Sequence, residues 1–199
     1  MSANVVSKIK TGNIFFLAFI ILFNYCSSQG HLAFDEIPIN GNLNSFSREL
    51  VNIGFTEMPS FEPGQIRLSG TFVNKNCEIS VFGSPESNTV YKVVIKIPEE
   101  SYDSVKSSYE RLQEKCASKY GKGASKYQQF HNSPRFLFNE PKLVREPKPG
   151  DYTRYITPNG TVILEIRLDF ISITYMDRRN NELRKREEGA GNKTLHNEY

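Results

Sequence analysis

Between residues 39 and 54, Leu43, Phe46 and Leu50 recur at i, i+3 and i+7, while Asn44, Ser47, Arg48 and Glu49 fill the positions between. That spacing puts one apolar stripe on a helix and predicts that these polar residues fall mainly on its other face. Asn42 offers a side-chain oxygen to cap the start, and Gly54 tolerates the left-handed backbone that ends such a helix. Upstream, Phe34, Ile37 and Ile39 are placed to staple the helix onto whatever it packs against.

The period then switches to two. Ile66, Leu68, Gly70 and Phe72 alternate with Arg67, Ser69 and Thr71, which is the pattern of a half-buried strand. Gly70 in that run predicts the close approach of a helix to the strand. Asn74-Lys75-Asn76 turns the chain into Cys77–Phe82, and Gly83 to Asn88 turns it again into a strand from Val90 to Ile97. In this third strand Tyr91, Val93, Ile95 and Ile97 share one side, and Lys92 and Lys96 share the other. Connections this short require an antiparallel meander.

A second helix follows. Ser101 caps it, Tyr102, Val105, Tyr109, Leu112, Cys116 and Tyr120 recur every three or four residues, and Gly121 stops it. Residues 122–150 show no sustained period and read as a long loop, or as a weakly signalled strand around Phe136 to Phe138. Alternation resumes in Tyr152–Thr157, breaks at Pro158-Asn159-Gly160, and continues through Val162-Leu164-Ile166-Leu168 and Ile171-Ile173-Tyr175. The order predicts an α+β fold with two helices packed on one face of a largely antiparallel, about six-stranded sheet.

Composition changes the picture mainly at the two ends. The chain has 199 residues with a formal charge of +3. Lys8 and Lys10 precede the apolar run Ile14–Phe23 and the polar exit through Cys26, Ser27 and Ser28. Ten apolar residues fall short of the roughly 20 that span a bilayer, and the arrangement fits a secretory signal peptide over residues 1–28, with Gln29 as the new first residue. A retained anchor and lipidation at Cys26 are the alternatives. Without the leader the net charge falls to +1, and residues 29–176 hold 17 bases and 17 acids. That balance gives no electrostatic reason to expect nucleic acid or an anionic membrane as partner. In residues 177–199 six bases alternate with five acids and apolar residues nearly vanish, so the segment reads as a charged, disordered tail, with room for a short helix before Gly189.

The chemistry-bearing residues are scattered. His31, His131 and His196 have no sequence-adjacent partner, and no spacing suits zinc, calcium or a phosphate loop, so the expectation is a protein without cofactor or metal. Cys77 and Cys116 both fall on predicted buried faces. In an oxidising compartment they could form a disulfide; otherwise they are buried thiols acting as small hydrophobes.

The run from Leu32 through Pro38-Ile39-Asn40-Gly41-Asn42-Leu43 to Phe46, with Gly54-Phe55, Leu68-Ser69-Gly70-Thr71-Phe72, Asn76-Cys77-Glu78-Ile79 and Lys119-Tyr120-Gly121, resembles a family of small exported uncharacterised proteins of Bacteroidota-type bacteria. The resemblance covers roughly residues 32–121 and, more loosely, 152–177. It implies an exported α+β domain and carries no functional residue with it. The function expected on these grounds is an exported, periplasmic or secreted, non-catalytic binding or scaffold module whose partner is a protein or envelope component. It would act through the sheet face without helices and through the aromatic residues Tyr127, Phe130, Phe136 and Phe138. The alternative is a hydrolase-type enzyme whose site is assembled from distant residues.

Overall fold

The computed structural model describes residues 30–123, 125–127, 131–137, 140–146 and 150–196. Two short strands, β1 (Ala33–Phe34) and β2 (Ile37–Pro38), pair antiparallel around Asp35 and Glu36. Both turn residues have positive φ, 45° and 69°, as a two-residue hairpin of this hand requires. Helix α1 (Leu43–Asn52) follows, capped by Asn42, whose side chain accepts from the Asn44 N–H at 3.0 Å. Its stripe Leu43, Phe46 and Leu50 is buried. Ser47 corrects the expectation for the polar face, because it too is fully buried, and its hydroxyl donates to Glu57.

The first meander is β3 (Thr56–Met58), β4 (Gln65–Phe72), β5 (Lys75–Gly83) and β6 (Val90–Pro98), followed by α2 (Tyr102–Tyr120). Of the two readings of residues 122–150, the long loop gives way to strands: a short β7 (Ser125–Tyr127) and a separate two-stranded hairpin, β8 (His131–Leu137), which includes Phe136, with β9 (Glu140–Glu146). Pro134 and Pro141 interrupt the apolar alternation there, which is why the period-2 signal is weak. The second meander is β10 (Tyr152–Thr157), β11 (Gly160–Ile166) and β12 (Phe170–Asp177).

The main sheet runs β3-β4-β5-β6-β12-β11-β10-β7, and every neighbouring pair is antiparallel. The two meanders therefore meet at their last strands, β6 against β12. This is an α+β fold, as the order of elements implied, with more strands than the expected six. Leu168 is not part of β11; it sits 71% exposed in the turn before β12.

The core lies between one sheet face and α1 with α2. Leu68, Ile79, Ile95, Leu164 and Ile173 are essentially inaccessible, and Phe46, Val105, Tyr109 and Leu112 pack down on that layer. Gly70 explains one close approach, though not by a helix: a Cβ there would clash with the ring of Phe55, three residues past the end of α1.

The charged C-terminal segment is not a solvated tail. Arg178–His196 forms helix α3, which packs against β6, β11 and β12. Buried Asp177 opens it, its Oδ1 accepting from the Asn180 N–H at 2.9 Å and its Oδ2 from the Leu32 N–H at 2.7 Å. Asn180 Nδ2 donates to the Ile39 and Val90 carbonyls at 2.9 and 2.8 Å. Two turns further, Glu187 accepts from the Glu86 N–H and the Ser87 hydroxyl at 2.9 and 2.7 Å. Hydrogen bonds to backbone replace the missing apolar stripe, so a hydropathy pattern has nothing to show.

Candidate functional site

The face opposite α1 and α2 is assembled by register. Glu78, Lys96, Ser172 and Glu165 stand across β5, β6, β12 and β11, and the next row is Arg67, Ser80, Val94, Thr174, Ile163 and Arg154. Phe82, Lys92, Met176, Thr161 and Ile156 form a third row. Val94, Ile163 and Met176 are only half-buried there, and Ile156 is 56% exposed. A sheet face with apolar centres left partly open differs from the usual polar, solvated side.

Aromatic rings and cations interleave on this face. Lys92 Nζ sits 3.8 Å from the Phe82 ring centroid, Lys96 Nζ 4.4 Å from that of Phe170, and the Arg154 guanidinium 5.6 Å from that of Tyr152. Such stacking orients each cation while leaving its charge available. Burial, and then the charge of Arg184, pull the Lys92 ammonium below its usual pKa. Arg154 Nε is buried with no hydrogen-bond partner among the described residues. Arg67 is paired with Glu78 at 3.0 Å, and Glu165 with Arg167 at 2.8 Å. Among the described residues the remaining cations on the face, Lys92, Lys96 and Arg154, are therefore in excess.

Sequence reasoning put Lys92 and Lys96 on this side but placed Tyr91 with the core. An irregularity between Phe82 and Gly83 shifts the pairing there, and Tyr91 instead stacks under Arg184 of α3, 5.1 Å from ring centroid to guanidinium. The partners Phe82 and Phe170 were legible only once register was known, since each lies on a neighbouring strand. Of the aromatic residues expected to bind, Tyr127 stands in β7 in register with Tyr152, and Phe136 stands in β8 opposite Pro141. Phe130 and Phe138 lie outside the described residues.

Among the described residues, a polar cluster around Ser108 bears on the hydrolase alternative, while the His131 side chain lies outside them. Ser108 Oγ accepts from Lys75 Nζ at 2.9 Å and from Arg111 Nη2 at 3.2 Å, and Lys75 also pairs with Glu99. Burial would raise the Glu99 carboxyl. Hydrogen bonds from Lys75, Ser108 and Ser104, with the Lys75 charge, outweigh it and hold the group below the ordinary carboxylate range. A carboxylate held that low is a poor base. Ser108 is itself 3% exposed, so the cluster ties α2 to β5 and contains no activated nucleophile.

Cys77 and Cys116 are both buried and free, so the disulfide alternative gives way to that of separate thiols. Burial pushes each thiol up to about 11, far from the thiolate state that reactivity needs. His31 Nδ1 lies 3.2 Å from Asp177 Oδ1, within the knot that starts α3. Among the described residues no three His, Cys, Asp or Glu side chains converge as a metal site, and no helix is long and apolar enough to cross a membrane. No family model matches the chain, and neither a curated protein nor a solved structure matches it.

Proposed function

We propose that this chain is an exported, non-catalytic binding module that engages an acidic protein or envelope component through the open sheet face. The observation that carries the reading is the interleaving of Lys92, Lys96 and Arg154 with Phe82, Phe170 and Tyr152 around half-buried Val94 and Ile163. Aromatic and arginine side chains on a partly apolar, cationic surface are the composition of interface centres rather than of inert surface. Export is supported by the basic-then-apolar leader over residues 1–28.

Two experiments test it. Mass spectrometry of the product from its native host should find Gln29 at the mature N-terminus; an intact leader on a cytosolic product overturns export. For binding, the wild type and a Lys96→Glu/Arg154→Glu variant are compared as baits in envelope extract. A partner retained by the first and lost by the second supports the face, and unchanged capture by a folded variant overturns it. The expected change in affinity exceeds tenfold, because reversing two interfacial charges adds repulsion as well as removing attraction, and each 1.4 kcal/mol is about a factor of ten.

A further inference from the structure

On the helix-bearing side, the β4–β5 turn stands away from α2 and leaves a groove. Val73 and Asn74 hold that turn with positive φ, 53° and 61°, which fixes its backbone and makes it a firm wall. The groove has two adjoining compartments of about 170 and 230 Å³, and both are lined by Phe72, Val73, Leu112 and Lys115. The second reaches down to Ile173 and Tyr175 of β12, so its floor is the apolar core layer.

The rim has the opposite character. Arg111, Lys115 and Lys119 recur at i, i+4 and i+8 on α2, are exposed, and line the two compartments. Like charges at this spacing repel one another along a helix. Lys119 has a structural account, because a cation in the last turn suits the helix dipole. Arg111 and Lys115 lie mid-helix and gain nothing from that. None of the three has a carboxylate partner among the described residues, and Asp35 is the single acid lining the inner compartment. Lys75, also in the outer compartment, is neutralised by Glu99. The buried Tyr120 hydroxyl lines the inner compartment beside Tyr175.

We infer that this groove binds one small anionic amphiphile, its apolar body on Phe72, Leu112 and Ile173 and its acid group among Arg111, Lys115 and Lys119. An inorganic anion would leave the apolar floor unused, and a neutral hydrocarbon would leave the three cations uncompensated. The compartments are too small for a folded partner and match a short chain with a single head group. The inference is independent of the open sheet face, which lies on the other side of the molecule.

The test is calorimetric titration of the full chain with decanoate below its micellar range, alongside decyltrimethylammonium, acetate and inorganic phosphate. Decanoate should bind saturably at one per chain, and the other three should not saturate over the same range. In the Lys115→Ala/Lys119→Ala variant, whose changes are on the exposed helix surface, decanoate affinity should fall at least about tenfold while the circular dichroism spectrum stays unchanged. Equal binding by the variant, or no saturable decanoate binding by the wild type, overturns the inference. So does equal binding of the cationic amphiphile, which would mean apolar association without charge selection. Equal binding of acetate or phosphate also overturns it, since the floor would then contribute nothing.

Discussion

Helices α2 and α3 have the same length, 19 residues each, and are held to the sheet by opposite means. On α2 the buried positions are Val105, Ser108, Tyr109, Leu112 and Cys116, a nearly continuous apolar stripe over β10, β11 and β12. On α3 they are, among the described residues, Asn180 and Glu187, with Leu183 and Arg184 half-buried between them. The inward spacing is the same helical one. What differs is the currency of attachment: area removed from water for α2, and oriented hydrogen bonds to backbone carbonyls and N–H groups for α3. The first is tolerant of small shifts and gains with every methylene, while the second is directional and fails when one partner is lost.

The largest effect is expected where burial is deepest. Tyr109→Ala empties a fully buried site and removes the hydroxyl that lies 3.1 Å from Thr153 Oγ1. Loss of a buried aromatic of this size costs about 3–5 kcal/mol, so the midpoint of urea unfolding should fall steeply for the whole molecule. Because α2 roofs the second meander, the loss is global. A variant that instead released α2 alone, leaving the sheet protected against hydrogen exchange, would show that α2 is no more integral than α3.

Asn180→Ala should come next and behave differently. It leaves the Ile39 and Val90 carbonyls without their side-chain donor, a cost of about 1–3 kcal/mol for buried polar groups. Since α3 is held to the sheet by directional hydrogen bonds rather than by an apolar stripe, the deficit should appear first as local opening. Faster amide exchange throughout α3 with an unchanged rate in β5, β6 and β12 is the expected result. Equal acceleration in both would merge the two helices into one cooperative unit.

The same contrast explains what could be read in advance. Leu43, Phe46, Tyr109 and Leu112 announce two helices because the energy that docks them is carried by apolar residues at helical spacing. The strands Leu68, Ile79, Ile95 and Ile173 announce themselves likewise, by period two. Helix α3 does not, because Asn180 and Glu187 look like any solvated polar residues until Val90 and Ser87, roughly 90 and 100 positions upstream, are brought beside them. The aromatic-cation pairs of the open face are hidden for a related reason: Lys96 meets Phe170 across β6 and β12, and no local pattern encodes that register. Ser47 and Ser108 were hidden in another way, as small polar residues buried by a specific acceptor or donor rather than by hydropathy.

A neutralised Glu187 sharpens the comparison further. Glu187→Gln keeps the size of the side chain and removes the charge that the Ser87 hydroxyl and the Glu86 N–H are arranged to meet. Charge-assisted hydrogen bonds exceed neutral ones by about 1 kcal/mol, so a loss of that order is expected, again as faster exchange confined to α3.

The smallest effect separates the two helices by acidity alone. Each is anchored by a carboxylate held below the ordinary range: burial would raise both, but for Glu187 the Ser87, Glu86 and Ser84 donors prevail, and for Glu99 those of Lys75, Ser108 and Ser104 prevail. A depressed folded-state pKa contributes stability above the unfolded value, near 4.3, and that contribution disappears as pH falls through the folded value. Both anchors therefore weaken only on acidification below about pH 4.3. Glu99 is backed by the apolar stripe of α2, so its protonation should leave α2 in place, with Tyr109 and Leu112 still buried. Among the described residues Glu187 is backed by Asn180, Leu183 and Arg184 rather than by an apolar stripe, so helical signal from α3 should fade at a higher pH than the cooperative loss of the sheet. Two resolved steps in an acid titration followed by exchange mass spectrometry are the expected outcome, and Glu187→Gln should abolish the first while keeping the second. A single coincident step in the wild type would mean that the hydrogen-bonded helix is as firmly part of the core as the apolar one.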